Sequence, residues 1–187
     1  MNKEIILNIQ KQLFKLTNKK FSKIYVKNKI LPIIEYIALS DKKKFLVGGS
    51  QGIGKTTLIK VIKLNIERFY KKKVLSLCLD DYYLKKNQRL HLSKTINPIL
   101  VTRGVPGTHD INILIKDIER FDNSKYPIKI PIFDKLIDNR INKTIDKIKI
   151  NRAELLLIER LKKEYDHKLI EIVNEIYMKI LKSLKIT

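Results

Sequence analysis

The chain has 187 residues, five prolines and 44% apolar residues, which suits one globular domain with a core of its own. Its net charge of +21 would attract polyanions, but 33 lysines against 7 arginines, spread along the chain among abundant Ile and Asn, fit an AT-rich coding bias; nucleic acid is therefore not the expected partner. No run approaches the ~18 consecutive apolar residues of a membrane span, and three scattered histidines with a single cysteine exclude a zinc cluster and an internal disulfide.

The first residues, Met1 to Ile5, carry an early acid and no small-residue cleavage site, so a cytoplasmic location is expected. Apolar residues at helical spacing, Ile5, Ile6, Ile9, Leu13 and Leu16, then Ile33, Ile34 and Ile37, predict two N-terminal helices before residue 40, covering the core. Phe45-Leu46-Val47 reads as a short strand running into a glycine-rich turn. The helix that follows, over 57–70, puts Leu58, Ile59, Ile62, Ile66 and Phe69 on one face. Val74 to Leu79 is a second apolar run with Cys78 in its core, the pattern of a buried parallel strand, and it ends at Asp80-Asp81. Gly49 to Thr56, between that first strand and its helix, fit G-x-x-x-x-G-K-[ST], so the predicted fold is α/β: a P-loop NTPase-type parallel sheet flanked by helices, in a single domain with N-terminal helices (1–40), a core (45–140) and a divergent tail (141–187). In that tail, Glu154 to Glu159 can be read as a strand or as the start of a helix, and 164–184 is expected to be helical.

All six glycines fall into two clusters. The first, Gly49-Ser50-Gln51-Gly52-Ile53-Gly54-Lys55-Thr56, satisfies the phosphate-binding pattern G-x-x-x-x-G-K-[ST] between a strand and a helix, the context that gives the pattern its meaning. Glycines let backbone N–H groups curve around phosphate oxygens, and the positive end of the helix dipole points at the same anion. Lys55 is then the contact to the terminal phosphates and Thr56 the hydroxyl for Mg²⁺, with Thr57 completing the site in a structural role. ATP and Mg²⁺ are the cofactors these residues imply. The second cluster, Thr102-Arg103-Gly104-Val105-Pro106-Gly107-Thr108-His109-Asp110, joins a base, an imidazole and an acid around turn formers and is the candidate substrate element. Acids that end the strand after the P-loop helix belong at the carboxyl edge of the sheet, where α/β ligands bind, so Asp80 and Asp81 are candidates to orient an acceptor hydroxyl. The alternatives are plainer: strand-ending turn acids, a helix cap for His109 and Asp110, a structural ion pair for Arg103, and solvated side chains for Lys135, Asp138 and Arg140.

Leu79-Asp80-Asp81-Tyr82-Tyr83 resembles the Asp-Asp-Phe-Tyr segment of the D-glycerate 3-kinase family, P-loop kinases akin to uridine kinase, phosphoribulokinase and pantothenate kinase. Thr102 to Asp110 is similar to that family's Arg-Gly-x-x-Gly-Thr/Ser-His-Asp element. Ile130-Pro131-Ile132-Phe133-Asp134-Lys135, with Asp138 and Arg140, is similar to its Pro-x-Phe/Tyr-Asp-Lys-Ser element and trailing Asp-x-Arg. The resemblance spans about residues 45 to 140. It implies transfer of the ATP γ-phosphoryl group to a small hydroxy acid such as D-glycerate. Asp80 is the implied general base, Asp81 contributes to the metal or water shell, and Arg103 pairs with the substrate carboxylate. His109 and Asp110 hold hydroxyls, while Lys135 and Arg140 neutralise charge. The family's later strand carries acid-Gly-Trp; here Glu159 stands in the acid position, a further possible metal contact alongside Asp80, and Arg160-Leu161 replaces Gly-Trp in a chain without tryptophan. The C-terminal part is thus shortened or altered relative to the family. Other readings are a kinase for a nucleoside or sugar phosphate, and a catalytically weak nucleotide-binding protein whose basic surface holds RNA.

Overall fold

The computed structural model describes residues 2–50, 52–141, 148–150 and 153–161. Gln51 and the expected helix over 164–184 lie outside the described residues. Two compact units emerge, one from the described residues of Met1–Ser76 and Ala153–Lys162, the other from those of Leu77–Arg152.

In the first unit, helix α1 (Asn2–Thr17) buries Ile5, Ile9 and Leu13, one apolar residue every fourth position and hence one stripe. It stops where Asn18 turns left-handed at φ 55° and its N–H bonds the Phe14 carbonyl. A second helical run spans 23–39: α2 (Lys23–Tyr25), a wider π-helical stretch over Val26–Ile30, and α3 (Leu31–Leu39). Ser22 starts the run by accepting the Tyr25 N–H through its hydroxyl, and Pro32 sits in the first turn of α3, where its missing N–H costs nothing. At the far end Lys72 Nζ donates to the Ala38 carbonyl at 2.6 Å, a cation on a helix C-terminus. The expected helical pair is therefore present, although Leu16 and Ile33, counted on its apolar faces, are exposed.

Strand β1 (Lys44–Gly49) leads into helix α4 (Lys55–Asn65), which continues as a π-helical turn over Ile66–Tyr70. Next in the chain is β2 (Val74–Cys78), whose apolar run buries Val74, Leu75 and Leu77; Cys78, expected in the core, is only half-buried at the strand's end. The third strand of this sheet, β7 (Leu155–Leu161), comes from the tail. It enters between the other two, giving the order β1-β7-β2, and runs parallel to β1 with Lys44 opposite Leu156 and Val47 opposite Glu159. This decides the double reading of Glu154 to Glu159 in favour of strand. Four consecutive buried residues, Leu155 to Ile158, explain it: a strand covered on both faces needs an unbroken apolar run. The core of the unit joins Ile5, Ile9, Ile34, Ile37, Ile59, Ile62, Ile66, Val74, Leu155 and Leu157. Asn65, fully buried, ties α4 to α1 by accepting from Asn8 at 3.0 Å and donating to Gln12 at 2.6 Å.

The second unit begins with a 3₁₀ turn, Leu79–Tyr82, and contains helices α5 (Lys86–Thr95) and α6 (Ile111–Asp122). Strand β3 (Ile128–Ile130) pairs antiparallel with β6 (Ile148–Ile150), and β4 (Phe133–Asp134) forms a small hairpin with β5 (Asn139–Arg140). Its apolar side chains include Leu114, Ile118 and Phe121 from α6 with Ile128 and Ile130 from β3, all buried. No helix among the described residues is long and apolar enough to cross a membrane.

Candidate active site

In the first unit, the candidate site is the turn between β1 and α4. Gly52 and Gly54 have φ of 78° and 93°, a region that costs a side-chain-bearing residue about 1 kcal/mol or more. Gly54 is the N-cap of α4, and its carbonyl accepts the first helical bond from Leu58 at 2.9 Å. A Cβ at Gly49 would lie 3.2 Å from Ile53 Cγ2 and 3.5 Å from Lys55 Cδ, so the loop closes tightly on itself there, while the positions a Cβ would take at Gly52 and Gly54 are open. Lys55 is 6% exposed, and its ammonium donates to the Ser50 carbonyl at 2.7 Å. The cation is thereby held folded over the loop. Thr56 is exposed in the first turn of α4 and Thr57 half-buried behind it. The N-terminal end of this helix and a sequestered cation suit an anion of phosphate geometry.

Within the second unit, a separate group of side chains gathers around Asp80. Its Oδ2 accepts from Lys135 Nζ at 2.8 Å and its Oδ1 from the Tyr83 hydroxyl at 3.0 Å. Burial pushes the Asp80 carboxyl up, but the Lys135 hydrogen bond and charge, the Tyr83 hydroxyl and the nearby His109 outweigh it and hold the group below the usual aspartate value. Lys135 is correspondingly raised, chiefly by its bond to Asp80. Tyr83 packs its ring on His109 at 4.4 Å between centroids and edge-on to Phe133 at 5.2 Å. The backbone joins the same elements: Leu84 N–H donates to the Thr108 carbonyl at 2.8 Å and Asp110 N–H to the Tyr82 carbonyl at 2.7 Å. Asp80, His109 and Lys135, three residues singled out in the sequence, are thus brought together. Removing the cation in Lys135→Met leaves burial less opposed, so the Asp80 pKa rises; the expected result is an acid limb of the pH–kcat/KM profile displaced to higher pH.

Neighbouring Asp81 has a different task, since its Oδ1 accepts the Phe133 N–H at 3.2 Å and so fixes β4 to the Leu79–Tyr82 turn. Asp110 caps α6 through the Ile113 N–H at 3.3 Å and holds Arg140 Nη1 at 3.1 Å. The plainer alternative of a helix cap therefore applies to Asp110. Arg140 is 9% exposed, not solvated; it also donates to the Tyr82 carbonyl at 3.1 Å, and its Nε has no partner among the described residues. Beneath them the Tyr82 hydroxyl, fully buried, donates to Asp117 at 3.0 Å; burial and that carboxylate push the phenol up and keep it neutral. The 102–110 turn is built on Gly104 and Gly107, at φ 85° and 87°, and on buried Thr108, whose hydroxyl accepts from Gly104 N–H at 3.2 Å. Glu159 is on β7 opposite Val47 of the P-loop strand.

Sequence reasoning passed over Arg89. It lies on α5 in a lysine-rich stretch, yet is 1% exposed and donates to the Leu84, Val101 and Asp138 carbonyls and to Asp138 Oδ2, at 2.7–3.2 Å. Its guanidinium also lies 5.8 Å from the centre of the Phe133 ring. A signal did exist: in a chain that uses lysine for nearly every cation, an arginine marks a place where a planar fork is needed. Arg89→Met removes bonds to three segments at once. A loss of roughly 2–4 kcal/mol in urea unfolding is expected, somewhat under the range for a fully buried pair because Asp138 is partly exposed and keeps a second arginine.

The turn between β1 and α4 of a parallel sheet flanked by helices has the architecture of P-loop kinases, the fold that the chain's sequence resemblance implied, and the proteins the chain is similar to are named kinases. Its sequence is 33% identical over 113 residues to an uncharacterized kinase, mug58, of Schizosaccharomyces pombe, a match covering 58% of this chain and 40% of that protein. It is 32% identical over 96 residues to the probable ATP-dependent kinase TDA10 of Saccharomyces cerevisiae, covering 46% of this chain and 33% of that one. In structure it is similar to D-glycerate 3-kinase from Cryptococcus neoformans, with a TM-score of 0.52 and 20% identity over 85% of this chain and 51% of that chain. The chain thus spans between a third and about half of the length of these proteins. No family model matches it.

Proposed function

We propose that the chain is an ATP-dependent small-molecule kinase acting on a hydroxy acid, most specifically D-glycerate. The observation that carries this reading is Asp80, kept ionised by Lys135 and Tyr83 at the end of the strand that follows a P-loop helix. The ATP-dependent and D-glycerate-specific names of the similar proteins support it.

The P-loop residues fit a nucleotide triphosphate: the loop closes tightly at Gly49, the Gly52 and Gly54 positions carry no side chain, and Lys55 supplies a cation. Gly49, Ser50, Gly52, Ile53, Gly54 and Lys55 would hold the phosphates, with Thr56 offering its hydroxyl to Mg²⁺ and Thr57 supporting the turn. Gln51 completes the motif by sequence. Bound Mg·ATP supplies the phosphoryl group, and its metal offsets phosphate charge. The chain's own part is positioning and charge. Asp80 would take the proton of the acceptor hydroxyl as the phosphoryl group passes to that hydroxyl's oxygen and ADP leaves, a role suited to a carboxylate already ionised at neutral pH. Lys135 returns a hydrogen bond to Asp80 and adds positive charge, with Arg140 contributing a second, buried cation. Arg103 binds the acceptor carboxylate; His109, steadied by the Tyr83 ring, offers an imidazole nitrogen to a hydroxyl. Asp110 acts on substrate through Arg140 and Asp81 through β4, and Glu159 is the remaining candidate for the metal's water shell.

ADP release with Mg·ATP, measured with and without D-glycerate, tests the proposal. Release that depends on glycerate is expected. Folded, ATP-binding protein that shows none would reject this acceptor, and the same assay with nucleosides and sugar phosphates would then decide between the other acceptor classes and loss of transfer altogether.

A further inference from the structure

Asp138 occupies a left-handed turn at φ 53° in the β4–β5 hairpin, a conformation that aspartate and asparagine tolerate better than most residues and that persists where its surroundings hold it. Two arginines hold it. The carbonyl and Oδ2 of Asp138 both accept from Arg89 Nη2 at 2.8 Å, while Oδ1 accepts from Arg103 Nη1 at 2.8 Å. Arg89 cannot move, since Leu84 and Val101 hold its other nitrogens and it is 1% exposed. Arg103 is different: its side chain is 36% exposed, and its bonds among the described residues run through Nη1 alone, to Asp138 and at 3.3 Å to the Lys135 carbonyl. One carboxylate thus balances two guanidiniums, leaving one positive charge and the free edge of a fork on the exposed arginine.

We infer that Asp138, fixed by the buried Arg89, is a positioning residue that aims the free edge of Arg103 at the carboxylate of the acceptor. A guanidinium on a flexible stem binds an anion weakly because ordering it costs rotamer entropy, and a pre-set fork avoids that cost. Asp138 also ties this preference to the hairpin that carries Lys135: one short hairpin presents the ammonium to Asp80 and the carboxylate to Arg103. The substrate class that follows is an alcohol bearing a carboxylate, in preference to the neutral alcohol of the same size. This rests on the hydroxy-acid kinase reading.

Steady-state kinetics of Asp138→Asn test it. Asparagine suits the left-handed backbone, but it replaces one of the two carboxylate oxygens that receive Arg89 and Arg103 by a donor NH₂ and removes the negative charge. The expected result is a rise of roughly tenfold in KM for D-glycerate with kcat and the KM for Mg·ATP within about twofold, a pattern that a general loss of structure would not produce. Asp138→Asn combined with Arg103→Gln should match Arg103→Gln alone in acceptor KM, because the aspartate acts through that arginine. Asp138→Gly, which keeps the positive φ without the carboxylate, gives the same readout if the asparagine variant does not fold. An unchanged acceptor KM in a folded variant, or additive effects in the double variant, would overturn the inference. Wild-type protein without glycerate-dependent turnover would instead refute the reading beneath it.

Discussion

Asp80→Asn is expected to lower kcat by roughly 10²–10⁴ while leaving the Kd for Mg·ATP within about twofold, measured by ADP release and by nucleotide titration. The substitution preserves size and removes the proton acceptor. It also disturbs the pairing: an asparagine side chain presents one oxygen and one NH₂, whereas Asp80 accepts simultaneously from Lys135 and Tyr83. The amide must turn its NH₂ toward one of two donors, so Lys135 or the Tyr83 hydroxyl loses its partner. The pH dependence follows from the same contacts. Because Asp80 is held below the usual aspartate value, its ionised form persists as pH falls through the ordinary carboxylate range. The rate it supports should be lost only below that range, and in Lys135→Met at higher pH than in the wild type. An Asp80→Asn variant with wild-type kcat would remove Asp80 from the chemistry.

Lys55→Ala is expected to reduce kcat by roughly 10²–10³, since a preorganised cation on a transferring phosphoryl group contributes on that scale, and to weaken Mg·ATP binding as well. The combination separates it from Asp80→Asn, which should affect kcat alone. Lys55 has two duties. Its ammonium pins the Ser50 carbonyl, keeping the loop folded before nucleotide arrives, and its stem lies beside Gly49, within van der Waals contact of where a Cβ would stand. Lys55→Arg tests whether charge alone suffices: a planar fork in a 6% exposed site has no room to replace a compact ammonium, so little activity should return. Full activity in Lys55→Ala would mean that the loop's backbone amides act without it.

The P-loop was legible because its requirements are local. Glycines at positive φ, a lysine at the helix start and a strand before them all fall within a dozen residues, and each obeys a rule that tolerates few other residue types. The Asp80 cluster was legible in membership but not in arrangement. Asp80 and Asp81 are adjacent and chemically identical, and only the fold gives one an ammonium and a phenol and the other a backbone N–H. Arg89 was not legible by periodicity, because burial of its charge depends on carbonyls from three segments, Leu84, Val101 and the distant Asp138.

The sequence by itself determined the strand–loop–helix phosphate site, the α1 stripe of Ile5, Ile9 and Leu13, and the apolar run of β2, all set by spacing within a turn or a strand. Tertiary structure alone decided that Leu155 to Leu161 would be a strand inserted between β1 and β2, that Asp110 would cap α6 and hold Arg140, and that Asp138 would stand between Arg89 and Arg103. The reason is physical. Helix and strand periodicities are properties of neighbouring residues, whereas the partner of a charge or the neighbour of a strand is chosen by whatever distant segment can best satisfy it once water is excluded.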